Sequence, residues 1–380
     1  MASELKMPTL RSRAAVRCIP IIGLLATAVI KAQSTPAAPP PAADARADSP
    51  VSAHHRLVDR WALGGDGGWD YPAVDSAAHR LYLSRETHVA VIDTRTGKPV
   101  GDVPDTPGVH GIAIAAYFHR GYASAGKADA VRVFDLDTLR PLGSISVGAK
   151  PDAILYDPKI HEIVALNGED DSASVIDAAK SELIGTIALP GAPEFARSDG
   201  AGHVYVNIED KNEIAALDLR SRTVTAVWPL TGCERPTGLA LDPAHSRSFS
   251  GCSNAVMVVS DTRLGKSIAT LPIGHGVDGV EFDALLRNAY SANGEGTLTI
   301  VHEGADSRHF AVVQTLPTAR GARTIALDAV THRLYLPTAQ LGPMPAATAE
   351  TPRPRAPILP GTFEVLVVGA GNHSDANERP

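Results

Sequence analysis

The chain has 380 residues, of which 44% are apolar and only 5% aromatic, with 33 Gly and 29 Pro. This composition suits many short strands joined by tight turns and excludes a protein built from long helices. The formal net charge of −7 argues against general nucleic-acid binding, because phosphate backbones repel an acidic protein.

The N-terminus has the pattern of a secretory signal. Three arginines precede an apolar run over residues 19–30, and the small residue Ala32 follows it. A basic region, a short apolar region and a small residue predict a signal peptide over residues 1–32. A retained membrane anchor is the alternative, but twelve apolar residues are too few to cross a bilayer comfortably. We therefore expect a periplasmic or secreted protein with no membrane span after signal removal.

Removal of the signal makes the protein more acidic. Residues 1–32 carry five Lys or Arg and one Glu, so their loss takes the formal charge from −7 to −11. Residues 33–56 are rich in Pro and Ala and predict a disordered linker. Residues 57–369 form the repeat region described next, and residues 370–380 are a polar tail.

A repeat of about 42 residues dominates the rest of the chain. Seven copies of one pattern, an apolar strand, a turn and a second strand, begin at Tyr71, Gly111, Ala153, Phe195, Gly238, Gly279 and Thr324. Each repeat contains four strand-like segments; in the third they are 153–157, 162–167, 172–177 and 183–189. A fixed period of this length, with four strands per repeat, predicts a β-propeller.

Acidic residues recur at the ends of the first and third strands. The first-strand series is Asp75, Asp157, Asp199, Asp242, Asp283 and Asp328, with Ala115 in the second copy. The third-strand series is Asp93, Asp135, Asp177, Asp218, Asp261 and Glu303. Because a short carboxylate can accept a backbone N–H two residues on, we expect these acids to cap turns rather than to act in catalysis.

A histidine column invites a metal interpretation that the fold argues against. Its members lie four residues after the first-strand acid position: His79, His119, His161, His203 and His332. Equivalent positions in different blades lie far apart around a ring. We therefore expect turn and packing roles for these imidazoles.

The ends of the repeat region predict how the ring closes. The last repeat has no fourth strand after residues 363–369, whereas residues 57–64 form an unassigned strand before the first repeat. Pairing these two segments would remove the exposed sheet edges. The prediction is an all-β, seven-bladed β-propeller with four-stranded antiparallel blades, in which the N-terminal strand completes the last blade.

At this point the chain resembles the YVTN-repeat (YncE-like) β-propellers. The matching elements are RPTGLALDP at 235–243, HVYVN at 203–207 and VAVIDTRTGK at 89–98. The literal YVTN tetrapeptide is absent. A WD40 repeat fits less well, because the Trp-Asp pair Trp69-Asp70 precedes a first strand instead of ending a third. The resemblance implies an exported propeller and supplies no catalytic residues.

The repeat register also identifies a ring of candidate site residues. The residue five before each first-strand acid position should lie where the inner strands begin, around the central channel. The seven are Asp70, His110, Asp152, Glu194, Thr237, Asp278 and Arg323. Six are ionisable, while the neighbouring turn positions are mostly small or apolar.

Three interpretations of this ring remain open. It is a solvated channel mouth with Arg323 as counter-charge, a site for an organic ligand or peptide, or a metal site. Crowded carboxylates repel one another, raise one another's pKa or recruit a cation. The metal candidates are Asp70, His110, Asp152, Glu194 and Asp278. Oxygen ligands favour Ca²⁺ or Mg²⁺, and His110 allows a transition metal.

The seventh repeat carries an unusually long loop. Residues 338–362 are rich in Pro and lie on the channel-mouth side, so we expect an extended segment. It is either a lid or partner-binding strap over the channel, or a passive insertion.

Two cysteines remain after signal removal. Cys233 precedes the first strand of the fifth repeat, and Cys252 ends its second strand. Antiparallel pairing brings these ends together, so export favours a disulfide. A metal pair is the weaker alternative, because neither a CxxC spacing nor an adjacent histidine supports it.

The sequence thus predicts a binding or scaffold protein, and leans against an enzyme. Its ligand would be a small molecule, peptide or protein at the channel mouth. No cofactor is required, although a divalent cation would fit, and we expect a monomer. The rival is a metal-dependent hydrolase resembling propeller lactonases. Single-stranded nucleic-acid binding is a second alternative that the acidic charge disfavours.

Overall fold

The computed structural model describes residues 54–346, 348 and 356–371. The predicted signal peptide lies outside the described residues, as do most of the linker and of the tail. The described part contains 28 strands and two short 3₁₀ helices. Within it, neither helix is long and apolar enough to cross a bilayer.

The strands form seven four-stranded antiparallel sheets, which confirms the predicted seven-bladed propeller. Blade 1 consists of β2 (Ala73–Asp75), β3 (Arg80–Arg85), β4 (His88–Asp93) and β5 (Pro99–Val103). Blade 2 consists of β6 (Val109–Ala115), β7 (Arg120–Ala125), β8 (Ala130–Asp135) and β9 (Pro141–Ser146), with 3₁₀ helices at Ala116–Phe118 and Gly126–Ala128. Blade 3 consists of β10 (Pro151–Asp157), β11 (Glu162–Asn167), β12 (Ser172–Asp177) and β13 (Glu182–Ala188).

The next three blades repeat the same order. Blade 4 consists of β14 (Pro193–Ser198), β15 (His203–Ile208), β16 (Glu213–Asp218) and β17 (Thr223–Pro229). Blade 5 consists of β18 (Pro236–Asp242), β19 (Arg247–Cys252), β20 (Val256–Asp261) and β21 (Lys266–Pro272). Blade 6 consists of β22 (Val277–Asp283), β23 (Asn288–Asn293), β24 (Thr297–Glu303) and β25 (Phe310–Pro317).

Blade 7 is assembled from both ends of the repeat region. It consists of β26 (Ala326–Asp328), β27 (Arg333–Thr338), β28 (Glu364–Ala370) and the N-terminal strand β1 (His55–Ala62). The pairing is antiparallel and runs from His55 opposite Ala370 to Ala62 opposite Glu364. The closing strand therefore pairs as the sequence predicts, beginning at residue 55 instead of 57.

Apolar clusters between adjacent blades form the core. Each inner or middle strand presents side chains to both neighbouring blades, so its buried residues read as near-continuous runs. For example, one cluster contains Val164, Val175, Val206 and Ala215, which come from blades 3 and 4. Burial on both sheet faces explains why the repeat shows apolar strands instead of a strict apolar–polar alternation.

The predicted turn role of the strand-end acids is confirmed in most blades. In the first-strand series, a carboxylate oxygen accepts backbone N–H groups two or three residues on, as Asp157 does from Lys159 and Ile160. The third-strand series does the same, as Asp177 does from Ala179 and Lys180. In blade 2 the acid is replaced by Ala115, and the turn becomes a 3₁₀ helix without a side-chain cap. Glu303 in blade 6 departs from the series and is treated below.

The histidine column is also a feature of the turns. Four of its five members, His79, His119, His161 and His332, have φ between 52° and 61°. This left-handed conformation is one that His tolerates better than β-branched residues do. Their partners lie in separate blades: His119 contacts Asp137, and His332 contacts Asp283. The column does not converge, as its spacing predicts.

Candidate functional site

The seven predicted ring residues lie at the start of the inner strands, one from each blade. Five lie within the first strand of their blade: His110, Asp152, Glu194, Thr237 and Asp278. Asp70 and Arg323 lie in the segments just before β2 and β26. All seven inner strands begin at the same end of the channel, which we call the channel mouth.

Five ring residues form a continuous chain of charged contacts. His110 Nδ1 lies 2.7 Å from Asp70 Oδ2 and 3.6 Å from Asp152 Oδ1. On the other side of Asp70, Arg323 Nη2 lies 3.8 Å from its Oδ1. The Arg323 Nε donates to Asp278 Oδ2 at 2.6 Å. Two cations thus alternate with three carboxylates around one side of the mouth.

The remaining two ring residues are not part of this chain. The Thr237 hydroxyl donates to the backbone oxygen of Val277 at 2.9 Å, so it ties blade 5 to blade 6. Glu194 lies in blade 4, beside Asp152 of blade 3, and none of the ion pairs of the described residues includes its carboxyl group. The ring is therefore asymmetric, with its cations concentrated away from Glu194.

The environment raises the pKa of two ring carboxyl groups, Glu194 and Asp152. Burial, reinforced by the negative charges of Asp278 and Asp152, raises the pKa of Glu194 to about 9. Burial also raises the pKa of Asp152 to about 7, with the charge of His110 opposing the shift. At neutral pH the protonated form of Glu194 is therefore favoured, and the raised pKa of Asp152 brings its titration toward the neutral range.

The neighbours of His110 and Arg323 favour the charged forms of both side chains. The hydrogen bond to Asp70 raises the pKa of His110, although burial opposes this. Burial likewise opposes the charge of Arg323, but the carboxylates of Asp278 and Asp70 outweigh it and raise its pKa. The mouth thus contains two carboxyl groups with raised pKa values, Asp152 and Glu194, next to Asp70 and Asp278, which contact Arg323.

Two aromatic side chains that the sequence did not predict as site residues, Tyr71 and Phe195, lie beneath the ring and form what we call the aromatic floor. Tyr71 of blade 1 packs against Phe195 of blade 4, with ring centroids 4.7 Å apart. The Tyr71 hydroxyl also lies 3.5 Å from Asp278 Oδ1 of blade 6, so this side chain reaches across the channel. Below the floor lies a cavity of about 570 Å³, which both aromatic residues help to line.

A signal for this floor exists in the repeat. The residue directly after each ring position is Tyr71, Gly111, Ala153, Phe195, Gly238, Gly279 or Thr324. Only two of the seven are large, and the two lie three blades apart. Two bulky side chains among small ones at one inner register are able to fill a channel that the small residues leave open.

A cavity of about 940 Å³ lies at the mouth beside blades 6, 7 and 1. Its apolar lining includes Trp69, Leu341, Met344 and Ile358, and its polar lining includes Arg320 and Arg323. Because Arg323 also belongs to the ring, the cavity opens onto the ring. A space of this size and mixed lining is typical of a small-molecule site.

Part of this cavity wall comes from the long loop of blade 7. The two described limbs of the loop pair with each other: Gly342 N donates to Pro357 O at 2.8 Å, and Leu359 N donates to Gln340 O at 2.9 Å. The loop is therefore a paired arm instead of the single extended segment that its prolines suggest. Residues 347 and 349–355 lie outside the described residues.

The predicted disulfide is present. Cys233 and Cys252 are bonded, with Cα atoms 5.4 Å apart. The bond lies in an apolar cluster with Trp228 and Leu230 and links the start of β18 to the end of β19. Because disulfides persist in oxidising compartments, the bond agrees with the expected export.

Among the described residues, two groups of His, Asp or Glu have donor atoms within 4.8 Å of one another. The first is Asp70, His110 and Asp152 in the ring. The second is Asp242, His245 and Glu303, between blades 5 and 6. The first group contains three of the five predicted metal candidates, while Glu194 and Asp278 fall outside it.

Comparisons with known proteins identify the fold. No family model matches the chain, and no curated protein matches it. Among solved structures, one similar chain is from a structure titled "Kuenenia stuttgartiensis Hydrazine Synthase". The TM-score is 0.63 at 16% identity, and the match covers 77% of this chain and 96% of that chain. At this identity the similarity shows the β-propeller fold alone.

Proposed function

We propose that this protein is an exported binding module of the YVTN-repeat type whose ligand carries a positively charged amine to the channel mouth. The observation that carries the proposal is the acid pair Asp152 and Glu194. These carboxyl groups lie on the side of the ring that Arg323 does not neutralise. With pKa values of about 7 and 9, Asp152 and Glu194 are not fully ionised at neutral pH. A bound cation would favour their ionised forms and pair with them.

The mouth cavity supports a ligand with an apolar part. Its lining combines aliphatic and aromatic side chains with two arginines. A ligand with its amine at the acid pair of blades 3 and 4 would have to span the mouth to bring an apolar part beside Leu341 and Ile358, because neither acid lines the cavity. The aromatic floor of Tyr71 and Phe195 would limit how deeply the ligand enters.

The first experiment measures amine binding together with proton release. Isothermal titration of the mature protein with spermidine and with an Arg-containing tripeptide, at pH 7.5 in two buffers of different ionisation enthalpy, reports both quantities. We expect close to one proton released per ligand, because Glu194 must ionise to pair with the amine. The double variant Asp152→Asn, Glu194→Gln should lose binding at least 10-fold, whereas the exposed Glu182→Gln control should not. Equal affinity in the double variant and the parent would refute an amine site at the mouth.

A metal-dependent hydrolase is the second candidate function. It rests on the grouped donor atoms of Asp70, His110 and Asp152, which would hold the ion. The imidazole nitrogen favours a transition metal over Ca²⁺ or Mg²⁺. Elemental analysis of the purified mature protein, with melting temperatures measured with and without chelator, tests this alternative. If no metal is found, and Ca²⁺, Mg²⁺ and Mn²⁺ leave the melting temperature unchanged, the hydrolase is excluded.

A further inference from the structure

A second cluster of metal-binding residue types lies at the end of the propeller opposite the mouth. Asp242 closes β18 in blade 5, His245 lies in the turn that follows, and Glu303 closes β24 in blade 6. One donor atom from each lies within 4.8 Å of the other two. The cluster therefore spans two neighbouring blades and shares no residue with the ring.

Glu303 does not have the role that its repeat position predicts. The five acids at this position in blades 1–5 accept backbone N–H groups of their own turns, as Asp261 does from Arg263 and Leu264. In blade 6 that role belongs to Asp306, which accepts from Arg308 and His309. The turn is thus capped without Glu303, and turn chemistry does not explain this side chain.

The Glu303 carboxyl group is also buried without a well-formed hydrogen bond. Its exposed fraction is 0%, and neither carboxyl oxygen accepts a hydrogen bond of normal geometry among the described residues, although weaker contacts with the Asp242 carboxyl group and the Ser307 hydroxyl remain. The nearest cation is Arg287, whose Nη2 lies 3.5 Å from Oε1. That guanidinium donates its hydrogen bonds elsewhere, to the backbone oxygens of Glu303 and Gly304 and to the Ser307 hydroxyl. The desolvation of this buried carboxyl group is therefore only partly offset, by the Arg287 charge at 3.5 Å.

The second carboxyl group of the cluster, that of Asp242, makes the burial of Glu303 more unfavourable. Asp242 is buried, with an exposed side-chain fraction of 3%, and faces Glu303. Two buried carboxyl groups in contact require either a shared proton or a cation between them.

His245 adds a nitrogen donor to the two buried acids. The histidine column occupies the fourth position after the first-strand acid, but blade 5 has Ser246 there and a histidine one residue earlier. This shift places His245 Nδ1 2.5 Å from Asp242 Oδ2, while 40% of its side chain stays exposed. The imidazole therefore joins the buried acids from the solvent side, where an ion would enter.

We propose that Asp242, His245 and Glu303 form a binding site for a divalent transition-metal ion of the Zn²⁺ class that links blades 5 and 6. Two carboxylates and one imidazole are a ligand set that Zn²⁺ accepts, with a fourth position open to water. Ligand atoms at about 2 Å from one ion lie within about 4 Å of each other. The half-exposed imidazole is the group best able to move, so that its nitrogen and the Asp242 oxygen, now 2.5 Å apart, could both reach one ion. The ion would replace the proton between the acids and hold two blades together.

Crystals of untagged, chelator-treated protein soaked in ZnCl₂ at pH 7.5 test the location. Diffraction data collected above and below the zinc absorption edge should give an anomalous peak between Asp242, His245 and Glu303. A peak only at Asp70, His110 and Asp152, or no peak, would overturn the proposal.

Zinc titrations of matched variants test the ligands in solution. Glu303→Gln and His245→Ala should each weaken binding at least 10-fold, and zinc should no longer raise their melting temperature. His309→Ala is the matched control, because His309 makes the same type of contact with Asp306 at 2.6 Å and both of these side chains are exposed. His245→Ala removes a half-exposed side chain, so we expect this variant to fold. It therefore tests zinc binding even if Glu303→Gln fails to fold. Unchanged zinc affinity in His245→Ala would contradict the assignment.

Discussion

Glu194 and Asp152 show how one register position acquires different chemistry in adjacent blades. Both occupy the same place in the repeat as Asp70 and Asp278. Those two acids, however, contact Arg323, whereas the pKa values of Glu194 and Asp152 are raised mainly by burial. The difference follows from the position of a single arginine in blade 7. A ring that looks uniform in the repeat is therefore divided into a neutralised side and a proton-holding side.

The raised pKa of Glu194 predicts a specific pH dependence of stability. Its pKa is about 9 in the folded protein and close to the ordinary 4.5 when unfolded. Between these values the folded state binds more protons than the unfolded state, so stability falls as pH rises. In the variant Glu194→Gln this position cannot ionise, so its contribution to the fall in stability with rising pH disappears. We expect its melting temperature to exceed that of the parent at pH 8.5, by about 2–4 °C for each kcal/mol recovered, and to differ little at pH 5.

Thermal melts of both proteins across this pH range, with Glu182→Gln as an exposed control, provide the measurement. A gain of the same size at pH 5 and pH 8.5 would contradict the assignment, because it would reflect packing and not ionisation.

At the residue level, the sequence predicts the members of the ring but not their contacts. The 42-residue period shows which seven residues share the mouth, and the structure places each at the start of an inner strand. Which acid Arg323 binds depends on side-chain reach across blades, about which a repeat pattern carries no information. The same limit applies to Tyr71, since the direction of a side chain that crosses the channel is set by tertiary packing.

At the level of elements, the repeat predicts where strands begin and end more reliably than it predicts how a blade changes when one residue departs from the repeat. In blade 3 every predicted strand boundary lies within two residues of the observed one. The exceptions occur where one residue departs from its column. Ala115 replaces a turn-capping acid and gives a 3₁₀ helix, and Glu303 loses its capping role to Asp306. Such departures are visible in the sequence, but their consequences depend on the neighbouring blade.

The disulfide gives a prediction for blade 5. It closes a separation of 19 residues between Cys233 and Cys252. Loss of the cross-link should reduce the free energy of unfolding by about 3 kcal/mol, because the unfolded chain regains the conformational freedom of that loop. We expect 5 mM dithiothreitol to lower the guanidinium midpoint of the parent.

The double variant Cys233→Ala, Cys252→Ala should start from the lower midpoint and show no response to dithiothreitol. If the parent, with its thiols confirmed as reduced by labelling under denaturing conditions, kept its midpoint, the disulfide would not contribute to stability.

For the whole molecule, β1 determines whether the ring is closed. It pairs with β28 along seven residue pairs and packs Trp61 against Tyr335, with ring centroids 5.4 Å apart. At its start, His55 exchanges two hydrogen bonds with Gln314 of blade 6. The strand therefore holds blade 7 and also contacts the blade before it. Closure of this kind leaves the inner three strands of blade 7 dependent on a segment from the other end of the chain.

Two variants test separately whether the ring needs β1 and whether β1 must lie at the N-terminal end of the chain. Deletion of residues 55–62 exposes the edge of β28 and removes Trp61 from its cluster, so we expect a lower melting temperature and aggregation through the open edge. Because His55 lies opposite Ala370, a circular permutant that begins at Leu63 and joins Gly371 to residue 54 through a short Gly-rich turn keeps the same strand pairing. We expect this permutant to have the melting temperature of the parent and to elute at the same volume in size-exclusion chromatography. A permutant as unstable as the deletion, although circular dichroism shows it to be folded, would mean that chain connectivity and not strand pairing closes the ring.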